Sequence, residues 1–103
     1  MAQKRIVIIA EFSIHPIGSG TSVSKEVKAA LRSISRIHGL KMQVTPMATI
    51  LESPDLKKIL RAVEVSHRTL KKMGSKRISS SLRIDQRLDK PRTMQDKVRS
   101  VLP

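Results

Sequence analysis

Apolar and polar residues alternate along the first part of the chain, with Ile6, Ile8, Ala10, Phe12 and Ile14 on one side and Val7, Ile9, Glu11, Ser13 and His15 on the other. A period of two marks a strand, predicted here over Arg5 to Ile14. Pro16, Gly18 and Gly20 then break the pattern as a turn, and Thr21 or Ser22 stands where it can cap a helix by accepting an unpaired backbone N–H. The period lengthens from there: Val23, Val27, Ala30, Leu31 and Ile34 share one helical stripe, and Gly39 stands ready to close the helix. Alternation returns over Leu40 to Thr45, and Pro46 and Met47 turn the chain into a short strand, Ala48 to Glu52. Ser53-Pro54-Asp55 reads as a helix start, with Ser as the cap and Pro at the first helical position. The stripe Leu56, Ile59, Leu60, Val63, His67 and Leu70 follows and ends at Gly74. Lys76 to Asp85 alternates once more, with Ile78, Ser80, Leu82 and Ile84 on one face, and a last helix, Thr93 to Leu102, carries Met94, Val98, Val101 and Leu102 on one side.

This order, β-α-β-β-α-β plus a helix, predicts an α+β fold: a ferredoxin-like split βαβ sandwich with an additional C-terminal helix, one domain over residues 1–103. Right-handed crossovers put both main helices on the same face of the sheet and leave the other face bare. Val7, Ile9, Glu11, Ser13 and His15 fall on the bare face, joined by Gln43 and Thr45 from the second strand and by Arg77, Ser79, Ser81, Arg83 and Asp85 from the last. Such a mixture of apolar and hydrogen-bonding groups predicts a face pressed against a second subunit, burying Val7 and Ile9 and leaving a pocket lined by polar side chains.

Composition narrows the function. The chain has no cysteine, which excludes a disulfide framework, a thiolate metal site and a cysteine nucleophile, and it fits a reducing, cytoplasmic setting. Lys4 and Arg5 precede an apolar run, but Glu11 cuts that run well short of the roughly 20 residues of a membrane span. A net charge of +13 makes a basic nucleic-acid-binding domain that contacts phosphates the rival reading. The basic residues are nevertheless dispersed as pairs, such as Lys57-Lys58 and Lys71-Lys72, with no long block. RNA-binding sheets of this fold stack bases on aromatic residues, whereas this chain has only Phe12, on the helix side. Nucleic-acid binding is therefore expected to be weak and non-specific.

No enzyme signature stands out. His15, His38 and His67 lack metal-ligand spacing, Ser79-Ser80-Ser81 sits in no Gly-x-Ser-x-Gly elbow, and the first loop has no arginine to cradle a phosphate. Neither metal nor cofactor is expected. Ser19, Gly20 and Thr21 precede a helix and could contact an anion or phosphate, against the simpler reading of a plain turn.

Three stretches carry a family resemblance: Glu11-Phe12-Ser13-Ile14-His15-Pro16-Ile17-Gly18-Ser19-Gly20-Thr21, Thr45-Pro46-Met47-Ala48-Thr49 with Glu52, and Ile84-Asp85-Gln86-Arg87 with Asp89-Lys90. With the closing Lys97-Val98-Arg99-Ser100-Val101, they make the chain resemble the YkoF-like thiamine-binding family of small ferredoxin-like proteins. His15 stands where relatives often have Tyr, and Ala48 where they often have Gly. The resemblance implies non-enzymatic binding of thiamine or its hydroxymethylpyrimidine moiety, with self-association to a homotetramer built as a dimer of dimers. An aminopyrimidine offers an amino donor beside ring-nitrogen acceptors, which suits a carboxylate with neighbouring hydroxyls. Glu11, Ser13 and Thr45 supply that set, His15 and Met47 shape its rim, and Thr49 completes the candidate ligand-binding residues. Glu11 could instead serve as an ion-pair partner of Arg77 or Arg83.

Overall fold

A computed structural model describes residues 5–103, so Lys4, at the head of the first apolar run, lies outside the described residues. The elements are β1 (Ile8–Pro16), α1 (Ser24–Ile34), β2 (Lys41–Val44), β3 (Thr49–Ser53), α2 (Leu56–Lys72), β4 (Ile78–Gln86) and α3 (Met94–Val101). They build the expected α+β ferredoxin-like sandwich, whose four-stranded sheet has the order β2-β3-β1-β4 with every neighbour antiparallel. The most apolar strand, β1, is central. Its Ile8, Ala10, Phe12 and Ile14 are buried with Leu51 of β3, Ala30 and Ile34 of α1, and Ile59, Ala62 and Leu70 of α2.

Local chemistry moves several boundaries. Val23, not Thr21 or Ser22, occupies the N-cap of α1 and makes no side-chain capping bond. The Ser22 hydroxyl meets that of Ser24 instead, at 3.4 Å. At the other end α1 stops at Ile34, because the Arg36 and Ile37 N–H groups bond to Ser33 and Ile34 in tighter turns before Gly39 reverses the chain at φ +78°. Asp55 caps α2 in place of Ser53: its carboxylate accepts the Lys57 N–H at 2.9 Å. Ser53 ends β3 and accepts the Asp55 N–H, leaving Pro54 outside the helix. Gly74 follows α2 as expected, at φ +94°, with the next N–H, that of Ser75, returned to the Leu70 carbonyl.

The larger correction concerns the face expected to be bare. Thr93 begins α3 in a capping box with Asp96, and the helix then lies against one end of that face. Glu52, which pairs with Ile9 across the sheet, accepts the Met94 N–H at 2.7 Å and is only 8% exposed. Asp85, the other neighbour of Ile9, forms an ion pair with Lys97. Val7 and Ile9 are thus half-buried within the chain itself, lining a crevice of about 100 Å³ with Arg92 and Lys97. Among the described residues, no helix is long and apolar enough to cross a membrane.

Candidate functional site

Sheet register sets the side chains of the face opposite α1 and α2 in rows. The row Lys41–Glu52–Ile9–Asp85 lies against α3, and the next row is Gln43–Ile50–Glu11–Arg83. Beyond it Ser13 pairs with Ser81 and His15 with Ser79. Residues two apart on a strand share a face at about 6.7 Å, and neighbouring strands lie about 4.8 Å apart. Glu11 and Ser13 therefore present a carboxylate and a hydroxyl within the span of one small heterocycle, with Ile50 as an apolar neighbour.

Glu11 is exposed and, among the described residues, its carboxylate takes part in no hydrogen bond or ion pair. Arg83 stands directly opposite it in register without closing a bridge. Two nearby acids do have basic partners. A hydrogen bond from Lys97, reinforced by its charge, holds the Asp85 carboxyl below the usual carboxylate range. Arg87 does the same for Asp89 through a bond of 2.7 Å.

The β2–β3 turn borders the Ser13 row. There the Thr45 hydroxyl donates to the Ala48 carbonyl at 2.7 Å and receives the Ala48 N–H at 3.1 Å. That side chain builds the turn and leaves the projecting Met47, 89% exposed, at its tip. Thr49 is not brought to this group. It pairs with Phe12, so it faces the helices and is 6% exposed; a residue one place along a strand points through the opposite face. Ser19, Gly20 and Thr21 are exposed on the loop between Pro16 and α1. Glu11, Ser13 and His15, with Met47 at the edge, thus form an open shelf on the single chain.

Reading the sequence missed Glu52 and Ile50 on this face, although the alternation of the third strand already puts both opposite Leu51. It also missed that α3 takes up Asp85. Nothing local signals that contact, which joins residues distant in the chain.

Fold and site together define a small α+β protein whose antiparallel sheet, on the face turned away from α1 and α2, keeps in the open a carboxylate that is unpaired among the described residues. A model of the family described as thiamine-binding protein matches residues 10–102, and the chain belongs to that family. It is 40% identical over 94 residues to a UPF0045 protein of Methanocaldococcus jannaschii, covering 91% of each chain. Over 96 residues it is 35% identical to a UPF0045 protein of Methanothermobacter thermautotrophicus, covering 92% of this chain and 96% of that one. The crystal structure of the Methanocaldococcus protein superposes with a TM-score of 0.82 over 92% of this chain and 95% of that chain. A Thermotoga maritima protein, proposed to serve thiamine biosynthesis or salvage, shares the fold with a TM-score of 0.76 at 23% identity, over 91% and 97% of the two chains.

Proposed function

We propose that this protein is a cytoplasmic, non-enzymatic binder of thiamine or its hydroxymethylpyrimidine moiety, held at the Glu11 shelf where a second copy of the chain closes over it. The observation that carries this reading is the exposed Glu11 carboxylate, without a partner among the described residues, on rows of the sheet that α3 leaves open. A carboxylate in that state can accept the amino group of an aminopyrimidine, while Ser13 beside it offers a hydroxyl. Family membership supports the ligand class, and so does the Thermotoga protein of the same fold. Arg83 disfavours a cation close to Glu11, so the neutral pyrimidine half is the part that sits there.

An open shelf binds a small molecule poorly, because binding sites bury most of their ligand. Self-association to a homotetramer would supply the missing wall, with His15 and Met47 at the rim. Calorimetry tests the anchor. Glu11→Gln loses a charge-assisted hydrogen bond worth roughly 1.5–3 kcal/mol and should weaken binding of thiamine or the pyrimidine by about one to two powers of ten, with the assembly unchanged. Asp89→Asn, which touches only the exposed pair with Arg87, should leave affinity alone. Equal affinity in wild type and Glu11→Gln would refute the site.

A further inference from the structure

The opposite side of the molecule gathers a large share of its positive charge. Residues 24–38 and 55–72, which make up the helical layer, hold ten Lys or Arg against Glu26, Asp55 and Glu64. Packing of α1 on α2 leaves an open groove of about 620 Å³ between them, lined by Arg36, Lys57, Lys58, Arg61, Arg68 and Lys72. Its floor is formed by Ile37 and Val65, with Ser33 and Thr69 joined across the two helices by a hydroxyl–hydroxyl bond of 2.6 Å. Asp55, the one acid in the lining, has its carboxylate engaged in capping α2. Glu64 is shared between Arg61 and Arg68. Among the described residues, Arg36, Lys57, Lys58 and Lys72 have no carboxylate partner.

We propose that this groove docks the phosphate backbone of double-stranded nucleic acid, independently of base sequence. From Lys57 to Lys72 the cations run about 22 Å along α2 at the helical rise of 1.5 Å per residue. That is the axial length of about six base pairs, and it exceeds what one small phosphorylated ligand would span. A concave trough between two helices also receives the ridge of a phosphate backbone better than it receives the flat surface of a bilayer. The lining has no aromatic side chain and little acceptor capacity for reading base edges, so binding rests on counterion release and is steeply weakened by salt. This surface lies on the helical side of the sheet, away from Glu11, and stands or falls without the ligand proposal.

The test is fluorescence anisotropy with a labelled duplex of about 20 base pairs, long enough to cover the groove, titrated at several salt concentrations. Two triple variants remove the same charge: Arg36→Gln with Lys58→Gln and Lys72→Gln in the groove, and Lys25→Gln with Lys76→Gln and Lys90→Gln outside it. The groove triple should bind at least about tenfold more weakly at low salt, and its log–log salt slope should be shallower by about 0.9 per charge removed. The outer triple should stay close to wild type. Equal losses in both triples would reduce the effect to a diffuse field and overturn the proposal, as would absence of duplex binding by the wild type. Groove-dependent capture of phosphatidylserine vesicles without duplex binding would overturn it too. Lys72→Glu alone, on the exposed last turn of α2, gives the same reading if the triple melts early, and should by itself weaken the duplex complex.

Discussion

Glu11 and Glu52 show how the same side chain, on the same face of one sheet, takes opposite roles. Glu11 is exposed and, among the described residues, has no partner, so it is available to a ligand. Glu52 is buried and receives the Met94 N–H, which places a negative charge at the start of α3 where the helix dipole favours it. A hydrogen bond to a buried charged group is worth about 1.5–3 kcal/mol, and the Met94 N–H would be orphaned without it. Glu52→Ala should therefore lower the urea-unfolding free energy by about that amount, and Glu52→Gln, which keeps an acceptor, by less. Unchanged stability in Glu52→Ala would mean that water replaces the carboxylate at no cost.

Among the elements α3 is the one most dependent on a few contacts. Met94 is buried, whereas Val98, Val101 and Leu102 are exposed, so only its first turn is anchored in apolar surroundings. Its second tether is the ion pair of Lys97 with Asp85, whose carboxyl is held below the usual range. A depressed folded value means that the tether stabilises fully above the ordinary carboxylate value of about 4 and is lost as the pH falls through the folded value. Acidification from pH 5 towards pH 3 should consequently loosen α3 before the core, seen as selective amide-shift changes in α3 by NMR. Asp85→Asn should already show the loosened signals at pH 5 and change less on acidification. Identical titrations in the two proteins would show that Lys97 contributes nothing to holding the helix.

At the scale of the whole molecule, the apolar surface of α3 and the loop before it bears on assembly. Leu88 is 74% exposed and Val101 79%, a poor arrangement for an isolated chain in water but a suitable one for an interface. The proposed homotetramer would bury this surface together with the remaining open rows of the sheet. Light scattering at low micromolar concentration should then give a mass well above the 11.5 kDa of one chain, and Val98→Lys with Val101→Lys should shift it towards that value. A monomer in the wild type would end the assembly reading and remove the second wall of the ligand site. Electrostatics divides the molecule in the other direction: the packing of α1 on α2 brings Arg36, which stands apart in the chain, to one groove with Lys57, Lys58, Arg61, Arg68 and Lys72 of α2.

Much of the fold is legible in the amino-acid sequence alone. Alternation in β1 decides which of its residues meet the helices, because a period of two allows only two faces and Ile8, Ala10, Phe12 and Ile14 could not all be left in water. The same parity puts Glu11, Ser13 and His15 together on the opposite face, and the order of strands and helices decides the sheet topology. Helix ends are less legible, since Thr21, Ser22, Ser53 and Asp55 can all cap and the competition is decided by which carbonyl and N–H groups the chain brings within reach. Only the tertiary structure decides where α3 goes, that Glu52 and Asp85 are consumed in holding it, and that Thr45 spends its hydroxyl on its own turn. It alone decides, too, which lysines and arginines share a groove. Periodicity reports how a residue lies within its own element. The meeting of Glu52 with Met94, or of Arg36 with the cations of α2, depends on how whole elements pack, and no local pattern encodes that.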